Sequence, residues 1–150
     1  MALVIDASVA LKWVLPERDS NLAKALIKAD EELLMPDSWL NEACNICWLQ
    51  VRKGKWTSDE AREALALIRA QVPPTPTGEL DLHEVALDIG LAINHSTYDT
   101  LYVAFTIAVG ARGLVAADSA FVRDMQRHPD PALASLLVRL GVWGRERGLT

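Results

Sequence analysis

Short apolar runs alternate along this chain with longer segments in which apolar residues recur every three or four positions. Ala2 to Ile5 is an unbroken apolar run ending at Asp6 and predicts a buried strand. Ala7 to Leu15, stopped by Pro16, predicts a short helix. From Asp19 to Asp30, Leu22, Ala23, Leu26 and Ile27 fall on one side of a helix, and Leu33 to Met35 returns as a second strand, completing a βαβ unit. Asp37 or Ser38 is placed to cap a helix running to about Val51, with Gly54 at its exit. Thr57 and Glu60 have the spacing of a capping box for a helix reaching about Gln71.

Pro73, Pro74 and Pro76 interrupt the pattern, and Val72 to Thr75 predicts a brief edge strand, since proline cannot donate to an interior ladder. Leu82, Val85, Ala86, Ile89 and Ile93 recur at helical spacing. Ser96 or Thr97 can cap the next helix, Tyr98 to Val109, which is apolar nearly all round and should be central. Leu114 to Ala117 reads as a buried strand ending at Asp118, followed by a helix from about Ala120 to Arg127. Ser135 to Leu140 reads as a last strand, leaving a polar tail from Gly144. Strands alternating with helices imply a parallel sheet covered on both faces, so the expected class is α/β in one domain over residues 1–150.

The composition narrows this picture. The longest apolar run, Leu101 to Ala111, falls short of the roughly 20 residues of a membrane span. The apolar start carries Asp6 and Lys12 and lacks a basic leader, so a cytoplasmic location is expected. Cys44 and Cys47 sit on one helix turn without the further ligands of a zinc site, which fits a reducing compartment. The net charge of −5 is unevenly spread: residues 1–118 hold 10 Lys and Arg against 17 Asp and Glu, and residues 119–150 hold 5 against 3. The C-terminal part is therefore the basic end.

Most of the acids have an ordinary explanation. Asp59, Glu60 and Glu63 lie in a first helical turn, where the helix dipole favours negative charge. Asp6 and Asp118 are different, because each closes an apolar strand, and ligands of open α/β sheets bind at the carboxyl ends of strands. Glu42 is flanked by Trp39, Leu40, Ala43 and Ile46, and Asp99 opens the most apolar helix. Carboxylates against apolar neighbours are costly unless something offsets the charge, and no Lys or Arg lies within four residues of either. A single such acid would be an N-cap or a hydrogen-bonded buried group. Four of them suit a hard divalent cation, Mg²⁺ or Mn²⁺, able to activate water for attack on a phosphodiester. No G-x-S-x-G motif appears, and His83-Glu84 lacks the second histidine of a zincin.

Taken in order, VIDASVALKW, the helix carrying Glu42, YDTLYVAF and LVAADSAFV resemble the PIN-domain family, with the VapC-type toxins as the nearest branch. The resemblance covers nearly the whole chain. It implies a three-layer α/β/α fold with a central parallel sheet of four to five strands and Mg²⁺-dependent cleavage of RNA. It also implies dimerisation and inhibition by a cognate antitoxin. By the same resemblance Asp6, Glu42, Asp99 and Asp118 are the metal-binding and catalytic acids. Ser8 matches a frequent hydroxyl residue that orients Asp6 or a metal-bound water, or caps the first helical turn. The chain departs from the family pattern at Ala116, where Thr is common, and at Thr100, where Ala is common.

Arg52, Lys53, Lys55, Arg123 and Arg127 are candidates for phosphate contacts, and the five tryptophans for base stacking or a partner groove. The alternative to an enzyme is an interaction module that keeps this fold with weak or no turnover.

Overall fold

Leu3, Val4 and Ile5 are all buried, although successive strand residues point to opposite faces. The strand they form, β1 (Ala2–Ile5), is therefore covered on both sides, and so is β3 (Gly113–Ala116), buried at every position. The structure, a computed structural model, describes residues 2–149. Its sheet contains β2 (Glu32–Leu34) and β4 (Leu137–Arg139) as well, in the order β2-β1-β3-β4, with all three pairings parallel. This is the expected α/β class with four strands.

Between β1 and β2 run α1 (Ala7–Ala10), a 3-10 turn (Leu11–Trp13) and α2 (Ser20–Lys28). The long crossover from β2 to β3 carries α3 (Trp39–Arg52), α4 (Ser58–Gln71), α5 (His83–Ile93) and α6 (Thr97–Ala108). After β3 come α7 (Ser119–Gln126) and α8 (Pro131–Ala134), and after β4 comes α9 (Leu140–Glu146). Helix α6 packs on β1 and β3 as its composition predicted. Trp39, Phe105, Phe121 and Met125 join the strand residues in one continuous core. No helix among the described residues is long and apolar enough to cross a membrane.

Several predicted details hold. Thr57 and Glu60 form the capping box, Gly54 takes a left-handed φ of 73° after α3, and Ser96 Oγ accepts from Tyr98 N–H at the start of α6. Three do not. Val72 to Thr75 is not a strand: it makes a single bridge between Thr75 and Pro36, because its prolines cannot supply ladder donors. Ser38 stands at the N-cap of α3 as one of the two expected residues, but neither it nor Asp37 makes a side-chain capping bond there. Asp37 Oδ1 instead accepts from Thr77 Oγ1 at 2.6 Å and pins the proline-rich crossing. The expected polar tail from Gly144 begins inside α9, whose Leu140, Trp143 and Gly144 are buried, and only the described residues after Glu146 run on as an exposed end. The apolar residues of α9 are too few for a visible period, but Gly144 lets the helix seat directly on Leu22 of α2.

Gly90 sets the spacing of α5 and α6. A Cβ there would stand 2.9 Å from the carbonyl oxygen of His95 and 3.1 Å from Thr97 Cγ2, while Thr100 Oγ1 donates to Ala86 O at 2.7 Å across the same contact. Thr100 thus has a structural use for its hydroxyl. In Gly90→Ala the helix propensity gain of about 1 kcal/mol should be outweighed by overpacking of about 1–3 kcal/mol. Urea denaturation should show net destabilisation, while Gly78→Ala, which meets nothing within 4 Å, should stay within about 0.5 kcal/mol of wild type. A Gly90→Ala protein as stable as wild type would mean the two helices separate more freely than this contact implies.

Candidate active site

A sheet whose central strand has neighbours on both sides, reached by separate crossovers, leaves a crevice beyond the carboxyl ends of its strands. Here the crevice lies where β1 and β3 end, and the chain places Asp6 directly after β1 and Asp118 two residues after β3. Asp6 N–H extends the ladder by donating to Val115 O at 3.2 Å. The two strand ends are tied by Ser8, whose Oγ donates to Asp6 Oδ1 at 2.5 Å and accepts from Ala117 N–H at 3.0 Å. Of the two roles open for Ser8, orientation of Asp6 has direct geometry behind it. The first-turn bond of α1 comes from Asp6 itself, whose Oδ1 accepts from Val9 N–H.

Asp6 is the buried acid of the group, at 4% exposure. Burial pushes its pKa up to about 7, helped by the charges of Asp99 and Asp118 and opposed by the hydrogen bonds from Ser8 and Val9. Asp99 stands in the first turn of α6, 38% exposed at its side chain. Asp118 is exposed and caps α7, with both bonds, from Ala120 N–H and Phe121 N–H, falling on Oδ1. The ordinary capping role is therefore real for Asp118.

Glu42 departs from expectation in its surroundings. The buried stripe of α3 is Trp39, Ala43, Cys47 and Gln50, and Glu42 sits at its border with an open side. Its Oε1 accepts from Tyr102 Oη at 3.1 Å across the gap to α6. Partial desolvation raises the Glu42 pKa, the Tyr102 bond opposes this, and Asp99 adds to the rise. The Tyr102 hydroxyl is raised by burial and then by the charges of Glu42, Asp6 and Asp99. Asp6 thus feels the charges of Asp99 and Asp118, Glu42 that of Asp99, and Tyr102 those of Glu42, Asp6 and Asp99, with Glu42 its hydrogen-bonded partner.

Asp99 has a partner that the sequence alone did not point out. His95 Nε2 lies 2.7 Å from Asp99 Oδ2, and His95 Nδ1 lies 2.8 Å from Asp124 Oδ2 on α7. Only the doubly protonated ring donates to both. Burial works against that charge, but the bonds and charges of Asp124 and Asp99 outweigh it and raise the His95 pKa. Phe121 stacks on the ring at 5.0 Å. The signal was present as a histidine four residues before Asp99; a search confined to Lys and Arg misses it.

The predicted phosphate-contact residues are scattered. Arg52 stacks over Trp48 at 5.4 Å, and Arg127 pairs with Asp124 at 2.6 Å. Lys53 and Lys55 line a separate cavity with Trp56, and Trp13, Trp39 and Trp143 are core residues. No three His, Cys, Asp or Glu side chains among the described residues stand close enough to hold an ion as they are. The donor chemistry nevertheless fits a hard divalent cation: four carboxylates, with Asp6 held partly protonated by burial beside its acidic neighbours and offered no Lys or Arg counter-charge.

The sequence model of the PIN domain matches residues 3–124. Among solved structures, the chain resembles the crystal structure of PAE2754 from Pyrobaculum aerophilum at 18% identity, covering 95% of this chain and 86% of that one with a TM-score of 0.68. That likeness establishes the fold. No curated protein matches the sequence.

Because the folded pKa of Asp6 lies above its unfolded value, its charge weakens the fold as pH rises from about 4 through about 7. In EDTA, Asp6→Asn should therefore be more stable than wild type at pH 8, by at most about 4 kcal/mol, with the advantage vanishing toward pH 4. Urea midpoints across that range test this. An advantage independent of pH would show that the carboxylate is not the source.

Proposed function

This chain belongs to the PIN domain family, and on that premise we propose that it is a ribonuclease that hydrolyses RNA phosphodiesters with Mg²⁺ or Mn²⁺. Members of the family are in general nucleases that need a divalent metal. The observation that carries the reading is Asp6, buried at the end of β1, tied by Ser8 to the end of β3 beside Asp118 and within electrostatic reach of Asp99, which in turn influences Glu42. Asp6, Glu42, Asp99 and Asp118 are the residues that would hold a divalent cation, which would supply an acidified water and neutralise charge on the leaving oxygen.

The chain's own groups do the positioning. Ser8 holds Asp6 by a hydrogen bond, Tyr102 holds Glu42, and His95 holds one oxygen of Asp99 while Asp124 holds His95. Asp118 keeps Oδ1 on the α7 backbone and leaves Oδ2 for a ligand. Bonds of this kind orient metal-binding side chains and typically carry about 10- to 100-fold in affinity or activity.

The finer reading is the toxin of a toxin–antitoxin pair, acting in the cytoplasm. Support for a protein partner comes from exposed apolar side chains. Leu87, Leu91 and Tyr98 stand out on α5 and α6, and Cys44, Trp48, Val51 and Leu65 line a groove between α3 and α4. A cognate antitoxin and a second copy of the chain are the partners proposed for these surfaces. Ala116, which lacks the hydroxyl common at that position, favours slow turnover and keeps the weakly active interaction module as the second reading.

Purified, partner-free protein should cleave RNA with Mg²⁺ or Mn²⁺ and lose activity in EDTA. Asp99→Asn should abolish cleavage. His95→Ala should lower it by about 10- to 100-fold, partly recovered at higher metal concentration. A folded wild type that cleaves nothing with either metal would hand the case to the interaction module.

A further inference from the structure

The basic C-terminal part acquires a location in the fold. Arg139 ends β4 and Arg145 lies in the last turn of α9. With Lys12 and Arg18 they surround a cavity of about 370 Å³, whose wall also contains Ala117 and Ser119, the residues on either side of Asp118. The cavity therefore opens beside the carboxylate group, at the same edge of the sheet. In a chain of net charge −5 it gathers four cations against one lining acid, Asp19.

The four cations are unequally engaged. Lys12 Nζ pairs with Glu17 at 3.2 Å, and Arg139 Nη2 donates to Ser119 Oγ at 2.9 Å. Arg18 and Arg145 are exposed, and neither has an ion pair or side-chain hydrogen bond within the described residues. Arg145 Nη1 reaches over Gly141, 3.6 Å from where a Cβ would stand. Two unpaired guanidinium groups facing a cavity repel each other until an anion joins them, and the planar fork of arginine suits phosphate oxygens.

We propose that this cavity binds a backbone phosphate of a single-stranded nucleic acid, adjacent along the strand to the phosphate presented at Asp6 and Asp99. The inference rests on the nuclease reading and names how that site holds its substrate. It also answers the charge problem. A polyanion approaching four carboxylates is repelled, and the attraction that offsets this comes from Arg18, Arg139 and Arg145 on the flank. Arg139 couples the two directly, because its partner Ser119 follows Asp118 in sequence.

The test is fluorescence anisotropy of a labelled single-stranded RNA oligonucleotide in EDTA, where cleavage is suppressed, over a series of salt concentrations. Arg18→Ala combined with Arg145→Ala should weaken binding at least about tenfold and flatten the salt dependence by about 0.7 in slope for each phosphate no longer neutralised. Arg62→Ala, a control on the exposed face of α4 paired with Asp59, should bind as wild type does. Equal binding by the double variant and wild type would overturn the proposal, and so would a wild type that binds no strand. Metal-dependent cleavage by wild type is scored separately. Arginine-dependent binding without cleavage would keep the cavity and remove the nuclease reading, whereas cleavage without arginine-dependent binding would do the reverse.

Discussion

The pairing of β1 with β3 is the constraint on which the rest of the site depends. Two parallel strands side by side deliver their carboxyl ends to one edge, and Ser8 locks that arrangement by holding Asp6 with its hydroxyl proton and Ala117 N–H with its oxygen. Everything else is placed relative to this pair. Helix α6 lies across both strands and brings Asp99 and Tyr102 to their ends; Tyr102 then reaches Glu42 on α3. Helix α7 starts from Asp118 and returns Asp124 to His95. Four elements far apart in sequence are thus indexed to one backbone ladder.

The electrostatics of the edge run against the stability of the fold. Asp6 is buried with acids for neighbours and with two hydrogen bonds as its compensation. The protein accepts this cost because the strands below are apolar on both faces and the surrounding core is continuous. Strain of this kind, concentrated where charge must later be neutralised, separates a binding site from the rest of a folded surface. The positive flank formed by Arg18, Arg139 and Arg145 completes the asymmetry, with acids at the ends of β1 and β3 and cations at the end of β4.

Much of this was legible in the residue order. Unbroken apolar runs marked β1 and β3, and the acids at their ends followed directly, because a strand end is a position that sequence can name. Capping at Thr57 and Ser96 was equally local. What escaped the sequence was non-local or sparse. Asp37 was spent on Thr77, 40 residues away, instead of on the helix beside it. Helix α9 has too few apolar residues to show a period and is held by a glycine seated on Leu22. Glu42 lay at the margin of its apolar stripe, a small rotation around the helix that composition does not resolve. His95 was hidden because its meaning lies in two contacts, only one of them near in sequence.

The parallel ladder also governs when the site comes into being. Leu3 of β1 is paired with Gly113 of β3, so the two halves of the acidic edge are joined only across 110 positions of chain. A polypeptide emerging from the ribosome has made β1, β2 and most of the helices before it holds the strand that completes the crevice, and contacts of such separation form slowly. Until β3 is inserted, Ser8 has no Ala117 N–H to accept and Asp6 has no Asp118 beside it. The acidic edge is consequently assembled only after β3 has been made.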